Sequence, residues 1–290
     1  MRSSSARSPA RVCRSCAAGR LRSADRIGSD PVKIALMDSG IGLLAAAAAL
    51  RTLRPDADLV LSQDPDGMPW GPRTSEDITA HAVAVARAAA EQKPDALIVA
   101  CNTASVHSLE AIRAELEPDI PVIGTVPAIK PAAASGGPVA IWATPATTGS
   151  AYQRGLIREF AADVDVTEIP CPGLADAVEY ADAEATAEIV ATAAAQTPPG
   201  TRALVLGCTH YEMLRDQIAA ALAGTCPDLA FFGSARAVAE QALRRARPLR
   251  ETGGGTLTVI RSGRVEELAP EALAYAEGRA ISDRSTAGLR

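Results

Sequence analysis

Residues 96–103 read ALIVACNT and residues 203–210 read ALVLGCTH, and these two segments decide the expected fold. Each segment runs alanine, leucine, an aliphatic pair, a small residue and then cysteine, with polar residues after it. A short apolar run that ends directly before a predicted helix is typical of a strand in a parallel sheet. Ligands bind at the carboxyl ends of such strands, so Cys101 and Cys208 are both expected where a ligand binds.

The rest of the chain repeats this alternation of short apolar runs with stretches rich in Ala, Leu, Glu and Arg, which indicates the α/β fold class. A capping-box pattern, TSED at residues 74–77, predicts a helix start ahead of Ile78. The predicted strands cover residues 33–37, 58–62, 96–100, 121–124, 138–143, 164–169, 203–207, 229–232 and 256–261. If the two cysteine segments belong to two similar lobes that face one another, their thiols meet across a cleft.

Length and charge exclude several classes of protein. The chain has 290 residues, enough for about two domains, and the apolar run at residues 43–50 is too short to cross a bilayer. The net charge of the chain is −5. Residues 1–30 carry seven arginines against only Asp25 and Asp30 and are therefore positively charged, so the rest of the chain is negatively charged. An acidic body gives no basic face for nucleic acid. We therefore expect neither a membrane nor a nucleic-acid partner.

The first thirty residues are rich in Ser and Arg, lack the apolar core of a signal peptide, and are expected to form a disordered tail. Cys13 and Cys16 in this tail form a CxxC pair without the second pair that a structural zinc site needs. No metal is therefore expected. The other four cysteines are widely spaced, and nothing suggests secretion, so reduced thiols in the cytoplasm are the expectation.

The two strand-end thiols can be interpreted in two ways. A free cysteine is among the most buried residue types, so Cys101 and Cys208 could be core residues. Their polar neighbours and predicted helix starts favour chemistry, because backbone N–H groups at a helix start favour an anion and lower the pKa of a thiol. Forming a thiolate at pH 7 costs roughly 2 kcal/mol, much of which a helix N-terminus offsets. Two thiols on opposite faces of one carbon can remove a proton from one side and deliver one to the other without a cofactor.

Six short motifs between residues 38 and 211 resemble those of a known protein family. From about residue 34 to residue 241 the chain resembles bacterial glutamate racemases of the aspartate/glutamate racemase superfamily. The matching pieces are DSGIG at 38–42, MPWGP at 68–72, ACNTAS at 100–105, ATPAT at 143–147, CP at 171–172 and GCTHY at 207–211. The combination of DSG, ACNTAS and GCTHY in this order along the chain is highly specific for this family.

The resemblance implies a cofactor-independent interconversion of L- and D-glutamate that supplies D-glutamate for peptidoglycan. It implies that Cys101 and Cys208 are the acid/base thiols, assisted by Asp38 and His210 respectively. The residues matching substrate-binding positions are Ser39, Trp70, Gly71, Asn102, Thr103 and Thr209, with Glu179 as an acidic residue near the second thiol. Their neutral donors suit carboxylates, which only accept hydrogen bonds when ionised.

The resemblance also implies that the C-terminal segment returns to the first lobe. The expected division is a tail at 1–30, a first lobe from 31–126 plus 232–290, and a second lobe from 127–231, with the active site between the lobes. A homodimer is compatible with the sequence, which does not itself fix the oligomeric state.

Three residues depart from the family pattern, and they bear on which substrate is bound more than on the type of reaction. Leu43 stands where the family has a second glycine, which removes backbone freedom at a helix start. Trp70 replaces a tyrosine and keeps an N–H donor, and Gly233 takes the place of an aspartate. Aspartate or another acidic metabolite is therefore an alternative substrate, and a racemase-like binding or regulatory protein is a further alternative.

The remaining candidates have simpler interpretations. His81 and His107 lack a motif partner and are expected to be surface or packing residues. Cys171, between two prolines, and Cys226, before one, are expected to be structural.

Overall fold

The computed structural model describes residues 32–246 and 254–282. The predicted tail at 1–30 and its Cys13/Cys16 pair lie outside the described residues. All nine predicted strands form, each within two residues of its expected ends. The strands are β1 (Lys33–Met37), β2 (Asp58–Gln63), β3 (Ala96–Val99), β4 (Val122–Gly124), β5 (Val139–Ala143), β6 (Val166–Pro170), β7 (Ala203–Leu206), β8 (Ala230–Phe232), β9 (Leu257–Arg261) and β10 (Arg264–Glu266).

The strands form two sheets, as the predicted α/β architecture requires. The first has the order β10-β9-β2-β1-β3-β4 and the second the order β6-β5-β7-β8. Every pairing is parallel except that of β9 with β10. The unpredicted strand β10 closes a hairpin through Ser262 and Gly263, which both have positive φ. A Ser-Gly pair is itself a turn signal, but the short strand after it has no apolar pattern that would predict it.

Helices separate and cover the strands. They are α1 (Leu44–Leu53), α2 (Ser75–Ala90), α3 (Asn102–His107), α4 (Leu109–Leu116), α5 (Ile129–Ala134), α6 (Ala151–Phe160), α7 (Leu174–Glu179), α8 (Ala183–Gln196), α9 (Arg215–Leu222), α10 (Ala235–Arg245) and α11 (Ala276–Ser282). Within the described residues, 3₁₀ segments lie at Ile41–Leu43, Pro65–Gly67, Thr209–Leu214 and Pro270–Ala274. At the start of α2 the hydroxyl of Thr74 accepts from the N–H of Asp77 (3.2 Å), as predicted. The carboxylate of Asp77 pairs with Arg73 instead of completing the capping box.

Both faces of each sheet are covered, which explains why the strands read as continuous apolar runs. In β1, Ile34 and Leu36 pack on the α1 side, while Ala35 and Met37 face α2. The first of these clusters continues into the second sheet through residues such as Trp142 and Leu204. The strands divide between the sheets where the lobe prediction divides the chain, and the lobe boundaries themselves stay a prediction.

Alanine-rich α1 packs against α10 and α11, so both C-terminal helices lie on the first sheet's side of the molecule. Small side chains along α1 allow these helices to approach closely. Within residues 32–246 and 254–282, no helix has the length and apolar character needed to cross a bilayer.

Candidate active site

The two strand-end thiols line one cavity. Cys101 follows β3 as the N-cap residue of α3, and Cys208 follows β7 at the start of a 3₁₀ segment. The cavity has a volume of about 380 Å³, and both cysteines belong to its wall. Cys101 is buried and Cys208 is partly exposed. The fold therefore brings together two thiols that are 107 positions apart in the sequence and belong to different sheets.

Most of the predicted site residues line this cavity, and the exception is Glu179. Those present are Asp38, Ser39, Trp70, Gly71, Asn102, Thr103, Thr209 and His210. Lining residues without a predicted role include Thr144, Thr147, Cys171 and Asp176. Thr144 and Thr147 belong to the quoted ATPAT motif, which was the signal available for them. Cys171 was expected to be only structural, but it is buried in the cavity wall.

Asp38 is held beside the first thiol because β1 and β3 are neighbours in the sheet. Its Oδ1 accepts from the backbone N–H (2.7 Å) and hydroxyl (3.2 Å) of Ser39, and its Oδ2 accepts from the hydroxyl of Thr209 (3.2 Å). Burial raises the pKa of Asp38, although His210 and a hydrogen bond from Cys101 oppose this. A buried carboxylate with a raised pKa is a better proton acceptor than an exposed one.

Cys101 does not have the lowered pKa that its helix-start position predicts. Burial raises the pKa of this thiol well above its usual value, and the negative charge of Asp38 raises it further. A backbone hydrogen bond from Ala104 at the helix start acts in the predicted direction but is outweighed. Burial in a low-dielectric wall disfavours the thiolate more than a short helix favours it. Cys101 is therefore a neutral, proton-carrying thiol next to a carboxylate.

His210 connects the second thiol to a carboxylate. Its Nδ1 lies 3.8 Å from Sγ of Cys208, and its Nε2 lies 2.9 Å from Oε2 of Glu179. Burial alone lowers the pKa of His210, but the hydrogen bonds with Cys208 and Glu179 outweigh it and raise the pKa well above the usual value. The raised pKa favours the protonated imidazole, whose Nδ1 lies next to the thiol of Cys208.

Glu179 has a different position from the one expected of a substrate-binding residue. Its Oε2 contacts His210 and also accepts from the backbone N–H of Ile41 (2.8 Å), and Glu179 is not among the residues lining the cavity. It therefore acts on the imidazole behind the wall. Local sequence around residue 179 could not reveal this contact, because the partner His210 follows β7, 31 residues further along the chain.

Trp70 lines the cavity, but its N–H does not point to a substrate. The indole Nε1 donates to Oδ2 of Asp64 (3.1 Å), so this donor is already used. Trp70 therefore lines the cavity with its indole N–H already bonded to Asp64. Asn102 donates through Nδ2 to the carbonyl of Gly207 (2.9 Å), while its buried Oδ1 has no hydrogen-bond partner within the described part of the chain.

The glycines of the DSGIG motif are required by the close approach of other side chains. A Cβ on Gly42 would lie 2.6 Å from Oδ2 of Asp38 and 2.7 Å from Nδ1 of His210, and would also clash with the Thr209 hydroxyl. A Cβ on Gly40 would collide with the Glu179 carboxylate. The glycines therefore allow the loop after β1 to pass directly against the side chains of Asp38, His210 and Glu179.

The departures at Leu43 and Gly233 leave the backbone and the site intact. Leu43 has φ −65° and ψ −14°, an ordinary helical conformation, and its side chain is fully buried. No glycine is needed at this position. At Gly233 the carboxylate of Glu212 occupies the space where a side chain would project, and its Oε1 accepts from the N–H of Ser234 (2.7 Å).

The remaining histidines and cysteines have identified environments. His107 is exposed and contacts the Ser75 hydroxyl (2.9 Å), and His81 lies against Asp64 (2.7 Å). Cys226 is buried away from the cavity, near the carbonyl of Pro198. Burial and the nearby Cys208 raise the pKa of Cys171 to about 12. Cys171 therefore remains a neutral thiol.

Comparisons with known proteins agree with the motif resemblance. The family model described as Asp/Glu/Hydantoin racemase matches residues 42–242. Glutamate racemases of Pseudomonas entomophila and Herpetosiphon aurantiacus are each 37% identical to this chain over 73% of its length, covering 80% and 83% of those proteins.

Among solved structures, Escherichia coli glutamate racemase in complex with L-glutamate and the activator UDP-MurNAc-ala is similar with a TM-score of 0.69 and 28% identity. That match covers 84% of this chain and 92% of that one. Thermus thermophilus glutamate racemase in complex with beta-chloro-D-alanine has a TM-score of 0.61 and 27% identity, covering 87% and 92%. With a family model over more than half of its residues and relatives above 30% identity over most of its length, the chain belongs to the Asp/Glu/Hydantoin racemase family.

Proposed function

We propose that this protein is a cofactor-independent racemase that interconverts L- and D-glutamate through Cys101 and Cys208. The observation that carries the proposal is that these two thiols, from the ends of strands in different sheets, line one cavity of about 380 Å³. Its curated relatives are named glutamate racemases, and the similar Escherichia coli structure contains L-glutamate.

The proton balance follows from the two half-sites. One cysteine, as thiolate, removes the α-proton from one face of the amino acid and becomes a thiol, leaving a carbanion. The other cysteine, as thiol, delivers its proton to the opposite face and becomes a thiolate, so the configuration inverts. Asp38 exchanges a proton with Cys101, and His210, backed by Glu179, exchanges one with Cys208. The direction of reaction decides which thiol starts as the base.

Neutral donors suit the carboxylates of the substrate. Neither lysine nor arginine is present among the described residues that line the cavity. The available donors are hydroxyls and amides such as those of Thr103 and Thr147, which suit ionised carboxylates. The Thr144 hydroxyl already donates to that of Thr147 (3.2 Å). The lack of a lining lysine also leaves no group for a Schiff-base cofactor.

A second candidate substrate is aspartate, and the observation that favours it is the bulk of Trp70 in the cavity wall. An indole in this position shortens the room for a side-chain carboxylate. Glutamate is the first proposal because the named relatives act on it. We place the reaction in the cytoplasm, where thiols stay reduced and D-glutamate would enter peptidoglycan synthesis.

The decisive experiment is racemisation of L-glutamate in D₂O, followed by proton NMR and by circular dichroism. Two distinct bases deliver solvent deuterium to the inverted product while the unreacted enantiomer keeps its α-hydrogen at early times. Cys101→Ser and Cys208→Ser are each expected to lower kcat/KM by about 10²- to 10⁴-fold. Cys226→Ser, at a buried thiol outside the cavity, is the control and should keep wild-type activity.

Three other outcomes of these experiments would contradict the proposed mechanism, substrate or activity. Near-normal activity in either active-site variant would exclude the two-thiol mechanism. Turnover of aspartate with inert glutamate would select the second substrate. Failure of every tested acidic amino acid to exchange its α-hydrogen would favour a binding or regulatory protein.

A further inference from the structure

Asp64, a buried carboxylate beyond the two half-sites, ties three elements together next to the cavity. It follows β2 directly, and its Oδ2 accepts from Nε1 of Trp70 (3.1 Å) and lies 2.7 Å from Nδ1 of His81 on α2. Its Oδ1 accepts from the hydroxyl of Ser262 in the turn between β9 and β10 (3.4 Å). One carboxylate thus joins a cavity-wall loop, a helix and a hairpin.

The loop that Asp64 holds has little other regular structure. After the 3₁₀ turn at Pro65–Gly67, residues 68–72 all line the cavity without belonging to a helix or strand. Trp70 is only 2% exposed, so nearly all of the residue packs into the protein although it lines the cavity. Side-chain contacts therefore determine the position of this loop to a greater extent than they determine the positions of the cavity residues that directly follow strands.

The packing around Asp64 leaves no spare room. A Cβ on Gly67 would lie 2.6 Å from Nδ1 of His81 and would collide with Oδ2 of Asp64. The rings of Trp70 and His81 are 6.3 Å apart between centroids, on either side of the shared carboxylate oxygen. The loop, the indole and the imidazole therefore have one mutual arrangement, fixed by Asp64.

We propose that Asp64 and His81 are positioning residues that hold the Trp70 indole as the wall selecting which acidic side chain the cavity accepts. This inference rests on the proposed function, because selection is meaningful only if the cavity binds acidic amino acids. Both residues act through Trp70 and do not touch the reacting carbon. Their loss is expected to change substrate binding and discrimination more than the proton transfers themselves.

The indole N–H provides a readout that does not depend on activity. The chain has two tryptophans, and Trp142 is fully buried with its N–H donating to the hydroxyl of Thr197 (3.0 Å). In ¹⁵N-labelled protein, Trp70→Phe assigns the two indole resonances. Asp64→Ala is expected to shift the Trp70 resonance and speed its hydrogen exchange, while the Trp142 resonance stays in place.

The kinetic arm compares glutamate and aspartate. Asp64→Ala is expected to raise KM for the preferred acid about 10-fold, with a smaller change in kcat, and to change the ratio of kcat/KM for the two acids by a similar factor. Asp64→Asn keeps an acceptor oxygen for the indole and should recover part of both effects. His81→Gln keeps a donor toward Asp64 and should be milder than His81→Ala. His107→Ala, at the exposed histidine, is the matched control and should leave both readouts unchanged.

Unchanged KM and substrate ratio in a folded Asp64→Ala protein would overturn the proposal, as would altered kinetics with an unmoved Trp70 resonance. If the wild-type protein turns over neither acid, the proposed function fails, and the selecting role of Trp70 fails with it. In that case the indole resonance still decides whether Asp64 and His81 position Trp70.

Discussion

Glu179 and His210 share a hydrogen bond of 2.9 Å between Oε2 and Nε2, and this contact makes the two thiols chemically unequal. Cys101 has the Asp38 carboxylate as its direct partner, whereas Cys208 has an imidazole with a carboxylate behind it. The same Oε2 accepts from the backbone N–H of Ile41 in the loop after β1. Glu179 thus links the proton partner of one thiol to the loop that carries the partner of the other.

Replacing Glu179 tests this link. In Glu179→Gln the imidazolium loses its carboxylate partner, so the pKa of His210 should fall and kcat should drop by about 10- to 100-fold. If the protonated imidazole assists Cys208 as proposed, the alkaline limb of the rate profile should move to lower pH. The pH dependence of kcat and the ¹⁵N chemical shifts of His210 measure the two effects. An unchanged profile would show that Glu179 is only a structural partner.

The same pair predicts a pH-dependent stability. The folded-state pKa of His210 is raised well above its usual value, so its contribution is fully present below the unfolded value of about 6.5 and is lost as pH rises through the folded-state value. The free energy of unfolding of the wild type should exceed that of Glu179→Gln by about 2 kcal/mol at pH 6. This difference should shrink in alkaline buffers. Urea denaturation at several pH values provides the measurement, and a difference that grows with pH contradicts the assignment.

Gly42→Ala tests the close approach of the DSGIG loop. The added methyl would meet the side chains of Asp38, Thr209 and His210 together, so these three side chains must shift apart. We expect kcat to fall by about 100-fold, because a displacement of about 1 Å at a catalytic group has an effect of that size. Gly224→Ala is the control, since nothing lies within 4 Å of a Cβ at that exposed glycine. Equal activity of the two variants would remove the steric explanation for the motif.

Leu43 is expected to matter for stability and not for chemistry. Its side chain is fully buried in the core that the two sheets share. Leu43→Gly, which restores the family residue, should lower the free energy of unfolding by about 4 kcal/mol, because it opens a cavity and loosens the backbone. Leu43→Met conserves volume and should cost less than about 1.5 kcal/mol. Thermal denaturation distinguishes the two, and a stable Leu43→Gly protein would contradict this role.

The sequence was sufficient for the strands and for the positions of both thiols along them. Parallel strands covered on both faces are short and continuously apolar, so β3 and β7 could be located from composition alone. The Ser-Gly turn that closes β9 and β10 was also encoded, but three residues of exposed edge strand carry no apolar pattern. Motif order then indicated the family before any distance was known.

Tertiary structure decided the properties that depend on neighbours distant in sequence. The pKa of Cys101 rises, against the helix-start expectation, because burial and the charge of Asp38 depend on how the sheet and its covering helices pack. In the same way, Glu179 contacts His210 instead of the cavity, and the N–H of Trp70 is used by Asp64. The local sequence determines which side chains follow each strand or begin each helix, because secondary-structure propensity and polarity patterns extend over only a few residues. Strand order and the packing of one sheet against the other decide which side chains come into contact. These contacts in turn set the pKa of each titratable group and the partner of each hydrogen-bond donor.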